Sequence, residues 1–232
     1  MKKEFREIHL LIGASLFCGL LLLIRIGYWN GRHIDLADIS VEGIIQSRGS
    51  TFLFLGWNLF LAWVPYLLSR LLVFLHPLRR PFNRISSFVL LLWLLFFPNA
   101  PYILTDLIHL RPRPLVPLWY DLLMILSFAW AGLMLGIFSL LHVQKWAQMR
   151  FGKNYDILLA VTLIPLCSLG VFCGRFLRWN SWEVFTHPHL LLADVYTLMA
   201  APDTLLSSLG LVAGFSVFLF LIYLPFKMLQ KK

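Results

Sequence analysis

The sequence predicts an all-α fold, an integral membrane bundle of six transmembrane helices. Three observations carry that reading. Apolar residues make up 59% of the 232-residue chain and charged ones only 13%, too few to cover an ordinary soluble domain. Six apolar runs are each long enough to cross a bilayer. The connections between them are too short to hold a water-soluble domain, so residues 1–232 read as one polytopic domain.

The first span, Ile8–Ile26, follows the basic tail Lys2, Lys3 and Arg6. Its apolar run of about 17 residues exceeds a signal-peptide core and no A-x-A site follows, so it is expected to be retained. It ends at Arg25, Tyr28 and Trp29, which read as an interfacial aromatic belt with a snorkelling arginine. The next loop mixes Ile and Leu with Arg32, His33, Asp35, Asp38 and Glu42, a pattern for a segment on the membrane surface. His33 and Asp35 could ligate a metal, but a solvated loop is the simpler reading.

The second span, Phe52–Leu75, carries Asn58 and Pro65. An amide inside a span most often makes an interhelical hydrogen bond. Here the expected acceptors are carbonyls freed by the prolines of the third span, with direct ligand contact as the alternative. His76–Pro81 then forms a stiff basic turn.

The third span, Ile85–Leu107, is broken at Pro98-Asn99-Ala100-Pro101. Ile85–Phe97 supplies roughly 20 Å of helix, short of the hydrocarbon thickness of about 30 Å. Ile103–Leu110 must therefore finish the crossing. Pro98 and Pro101 strip partners from the carbonyls of Leu94 and Phe97, and backbone freed at that depth has to be satisfied. A continuing α-helix would put Asn99, Tyr102, Asp106 and His109 on one face.

The fourth span, Leu118–Leu141, opens with Trp119, Tyr120 and Asp121. An acid in a first turn complements the helix dipole; Asp121 is also a candidate ligand contact. Ala129, Gly132, Gly136 and Ser139 form a stripe of small residues, and the fifth span, Ile157–Leu177, holds Gly170 and Gly174. Such stripes let helices approach closely, within a bundle, between copies of the chain, or with another membrane partner. The fifth span surfaces at Arg175, Arg178, Trp179, Asn180, Trp182 and Glu183. Asn180 and Glu183 have the spacing of a capping box, and two arginines beside a helix N-terminus suit an anionic lipid headgroup. Leu205–Phe226 is the sixth span, with Asp203-Thr204 as its expected cap.

The net charge of +9 follows topology: thirteen of the twenty Lys and Arg lie on the side that holds both termini. The positive-inside rule puts that side, and so the N and C termini, in the cytoplasm. This distribution argues for no nucleic-acid partner and leaves the lipid bilayer as the expected one. Cys18, Cys167 and Cys173 sit inside spans in an odd count and read as apolar packing residues. No phosphate-binding, dinucleotide, zinc-protease or nucleophile-elbow motif occurs, so no cofactor and no metal site is assigned.

Two long motifs carry a resemblance: Pro98-Asn99-Ala100-Pro101-Tyr102-x-x-Thr105-Asp106-x-x-His109-Leu110 and Gly174-Arg175-Phe176-x-Arg178-Trp179-Asn180-Ser181-Trp182. With Asn58 to Tyr66 and Trp119 to Leu122, they make the chain resemble the membrane proteins grouped as domain of unknown function 1361. The resemblance covers about residues 49–214 and leaves the first span, 8–26, peripheral. It implies a bacterial multi-pass protein of the cytoplasmic membrane with no activity assigned.

Three functions fit the residues. In a non-catalytic envelope component, the polar groups are architectural and Asp106 pairs with Arg175 or Arg178. In an enzyme acting on a lipid-linked headgroup at the outer leaflet, Asp106, His109 and Glu183 are the catalytic candidates. Asn58, Asn99, Tyr102, Asp121, Arg175, Arg178, Trp179, Asn180 and Trp182 would then bind substrate. In a transporter of small solutes or ions, Asp106 is the coupling acid, but the inner halves of the spans offer few polar groups.

Overall fold

The computed structural model describes residues 2–30, 52–75, 84–113, 116–152, 155–181, 183–187, 189–190, 193–194, 196–197 and 202–230. The chain forms α1 (Lys2–Asn30), α2 (Leu53–Leu75), α3 (Arg84–Phe96) and the single turn α4 (Asn99–Tyr102). A 3₁₀ segment (Ile103–His109) follows, then α5 (Leu118–Phe151), α6 (Asp156–Arg175), the short α7 (Glu183–Thr186) and α8 (Pro202–Gln230). Among the described residues there is no strand, only a lone bridge between Arg113 and Val116. Six helical stretches are long and apolar enough to cross a membrane, with α3, α4 and the 3₁₀ segment counting as one of 26 residues. The protein is a multi-pass membrane protein.

The third span is broken where the prolines fall, and its second half is not α-helical. The thirteen residues of α3 run about 20 Å at 1.5 Å per residue, and the seven of the 3₁₀ segment about 14 Å at 2.0 Å per residue. The 3₁₀ segment thus supplies the missing length. It also changes the expected face. With three residues per turn, Ile103, Asp106 and His109 line up, and Tyr102 rotates off their line. Ile103 and Asp106 are the buried members.

Span four, expected to end at Leu141, continues within α5 to Phe151. The continuation is amphipathic: His142, Val143, Gln144, Trp146 and Ala147 are buried, while Lys145, Gln148 and Met149 are exposed. Gly152 stops it in the left-handed region (φ 65°), where its N–H donates to the Gln148 carbonyl at 3.0 Å. α8 begins at Pro202, so Asp203 and Thr204 fall inside its first turn.

The chain divides into two compact units, Met1–Trp63 with Ala100–Leu135 and Val64–Asn99 with Gly136–Lys232. The boundaries fall beside Pro65 in α2, inside the Pro98–Pro101 break, and at Gly136 in α5. In the first unit, Leu11, Cys18 and Leu21 of α1 and Met124, Ile125 and Phe128 of α5 form helical-period buried stripes. A Cβ on Gly132 would lie 2.5 Å from the Ala100 carbonyl oxygen, so only glycine lets α5 approach the broken span. In the second unit, Ala160, Ile164, Cys167 and Val171 are the buried stripe of α6. A Cβ on Gly170 would collide with the Pro98 ring. Close packing is what these two glycines serve. Burial is very uneven between helices: 67% of the most apolar window of α5 is buried and only 6% of that of α8.

Candidate functional site

The polar candidates of the first unit are organised by Asp121, in the opening turn of α5. Its Oδ1 accepts from Arg25 Nε at 2.6 Å, and its Oδ2 accepts from Arg113 Nη1 at 3.1 Å. Arg25 and Asp121 are each 1% exposed. The expected snorkelling of Arg25 is therefore corrected: the side chain turns into the protein because a buried carboxylate is there to meet it. Both guanidinium groups also lie over the Phe52 ring, at 5.5 and 4.2 Å. Tyr120, beside Asp121, donates its hydroxyl to the Leu21 carbonyl at 2.8 Å and ties α5 to α1.

Asp106 lies on the 3₁₀ segment at 1% exposure, and its Oδ2 accepts from Asn58 Nδ2 at 2.9 Å. The Asn58 amide thus goes to a carboxylate, where the sequence suggested the carbonyls freed by proline. At the break itself, Asn99 Nδ2 donates to the Phe96 carbonyl at 3.1 Å, which is neither of the two carbonyls that the prolines free. His109 is half-buried, with its ring edge-on to Phe54 at 5.1 Å, and its carbonyl accepts from Arg113 Nη2 at 3.5 Å. Tyr102 is half-buried.

In the second unit, the two long motifs touch. Asn99 Nδ2 also donates to Ser181 Oγ at 3.1 Å, across 82 residues of sequence. The chain leaves α6 through Arg178, a non-glycine residue at φ 60°, a conformation that costs about 1–2 kcal/mol. Trp179 N–H reaches back to the Cys173 carbonyl at 3.1 Å, and its indole donates to Asp194 Oδ2 at 2.8 Å. Half of the expected capping box is present: Glu183 Oε2 accepts from the Asn180 backbone N–H at 2.6 Å. The Asn180 side chain donates to that same oxygen at 3.0 Å. Arg175 is half-buried and Arg178 exposed. Trp182, the loop that carries His33 and Asp35, and the turn His76–Pro81 lie outside the described residues.

A second set of buried polar groups was not legible as a site, because His142, Gln144 and Asp156 fall outside the apolar runs. Gln144 Nε2 donates to the Asp156 carbonyl at 2.9 Å and to the Tyr223 hydroxyl at 3.0 Å, and the Asp156 carboxylate pairs with Lys227. Ser69 donates its only proton to the Tyr66 carbonyl at 2.7 Å, so toward His142 Nδ1, 3.2 Å away, it accepts. That assigns the proton to Nδ1 of His142. Ser139 accepts from the Trp93 indole at 2.5 Å and donates to the Pro65 carbonyl at 3.1 Å. The signal that would have found this set is the helical spacing of His142, Trp146 and Arg150 beyond the apolar run. Among the described residues, no three His, Cys, Asp or Glu groups gather as a metal site.

No curated protein and no solved structure matches the chain. A family match spans residues 57–225, well over half of the chain, and takes in Asn58, the Pro98–Pro101 break, Asp106, Asp121 and the Arg175–Glu183 turn. The chain therefore belongs to the family described as protein of unknown function DUF1361.

Proposed function

We propose that the protein is a non-catalytic component of a bacterial cell-envelope assembly, held in the cytoplasmic membrane with both termini inside. The observation that carries this reading is the engagement of the candidate acids. Asp121 is shared by two arginines, Asp106 is bonded to Asn58, and both Asn180 donors converge on one oxygen of Glu183. Carboxylates committed in this way hold a fold together and are poorly placed to exchange protons with a substrate. Asn99 belongs to the same pattern, joining its own helix break to Ser181.

A second reading, an enzyme on a lipid-linked headgroup, is favoured by one feature. Asp106 and His109 share one line of a seven-residue 3₁₀ segment, and long 3₁₀ stretches often mark functional positions. The two readings separate in a strain lacking the protein, complemented with wild type, Asp106→Asn or Glu183→Gln. Envelope lipids and lipid-linked intermediates are compared by mass spectrometry. The architectural reading expects each stably expressed variant to match wild type. A species that accumulates and is cleared by wild type alone would transfer the assignment to the enzyme and name its substrate.

A further inference from the structure

Within the first unit, an apolar groove of about 470 Å³ runs between α1, the 3₁₀ segment and α5. Ala14, Phe17 and Cys18 line it from α1, Leu104 from the 3₁₀ segment, and Ser127 and Trp130 from α5. The one hydroxyl among them is already satisfied, since Ser127 donates to the Leu123 carbonyl at 2.8 Å. Phe17 and Trp130 remain about half exposed, so the aromatic walls stand open and are not folded over the space. All three elements belong to membrane-spanning stretches. The medium at this groove is therefore hydrocarbon, and what fits it is an acyl chain.

The charged end of the same helices says which lipid. On α1, Arg25 lies seven residues beyond Cys18, roughly 10 Å along the axis. On antiparallel α5, Asp121 lies six residues before Ser127, roughly 9 Å in the same direction. The Arg25–Asp121–Arg113 cluster thus stands beyond one end of the groove, and it sets two guanidinium groups on one carboxylate. Arg113 is its outer member, with a side chain 18% exposed. Two of its nitrogens are spent on Asp121 and the His109 carbonyl, and a guanidinium carries five N–H donors in a fork that matches phosphate.

We propose that this groove binds one acyl chain of an anionic phospholipid whose phosphate is met by Arg113. The site does not involve Asp106 chemistry and stands or falls apart from the function proposed above. The full chain, equilibrated in micelles with equimolar phosphatidylglycerol and phosphatidylcholine, is read by native mass spectrometry. One retained phosphatidylglycerol is expected, with about a fivefold preference, the factor set by one basic side chain near a membrane surface. Arg113→Gln should abolish the preference and Arg113→Lys should keep most of it. Ala14→Phe, which fills the groove, should reduce retention of both lipids at least fivefold. Ser127→Phe is the alternative filling variant if Ala14→Phe does not fold, and each variant is admitted only if its thermal unfolding is cooperative. Equal retention of the two lipids by wild type would overturn the proposal. So would unchanged phosphatidylglycerol binding in the filled groove, or a dimer whose formation the filling variant abolishes.

Discussion

In the first unit, one carboxylate, 1% exposed, sits between two arginines; in the second, Asp156 pairs with Lys227, whose side chain keeps 13% exposure. Arginine stays charged at any accessible pH and offers a rigid fork, so burying Arg25 fixes a permanent charge beside Asp121. Lysine is a point charge on a flexible stem that can reach toward water when its partner is removed. The surroundings differ in the same sense. Both guanidinium partners of Asp121 lie over the Phe52 ring, whereas the Asp156 cluster is completed by the neutral Gln144 and Tyr223. Two buried acids of one chain thus have unequal need of their partners.

The sharpest way to break this contrast is Asp121→Asn. It takes the counter-charge away from buried Arg25 and is expected to cost about 3–5 kcal/mol, read as unfolding of the purified protein in detergent. Asp156→Asn should cost less, about 1.5–3 kcal/mol, because Lys227 has a route to solvent. Combining it with Lys227→Gln should recover part of that loss, and a double-mutant cycle measures how much. Equal losses at the two aspartates would show that exposure of the partner does not set the cost. A smaller effect, about 1–3 kcal/mol, is expected for Gly132→Ala, whose methyl group meets the Ala100 carbonyl oxygen. At Gly210 and Gly214, by contrast, a Cβ would meet nothing within 4 Å; alanine there should raise stability slightly, by up to about 1 kcal/mol, through helix propensity alone.

Much of the fold was legible because it depends on local properties. Hydropathy located six spans, the two prolines located the break, and the spacing of Asn180 and Glu183 located a turn stabilised by its own side chains. What was not legible depends on distant partners. Nothing near Arg25 in the chain announces an aspartate 96 residues later, so an arginine beside Tyr28 and Trp29 reads as interfacial. The continuation of α5 was hidden because a window of hydropathy falls at His142, Gln144 and Lys145, although their alternation of buried and exposed positions is helical. The 3₁₀ geometry of Ile103–His109 was hidden for a related reason. α and 3₁₀ helices draw on the same residues, and the choice between them is made by what each side chain meets. Among the candidate site residues, Asn99 drew attention by its place in the break, but its partner Ser181 had no signal of its own.

The 3₁₀ segment has one more consequence, in the matching of protein to membrane. Each residue that passes from 3₁₀ to α geometry shortens a helix by about 0.5 Å. The seven residues Ile103–His109 therefore hold about 3.5 Å of adjustable length in a single span. Biological bilayers differ in thickness by a similar few ångströms, and a span that cannot change its length must tilt or deform the lipid around it. A passage between the two geometries in the third span would take up such a difference. Asp106 and His109 ride on that segment, so a change in bilayer thickness would be felt first as a rotation of those two side chains.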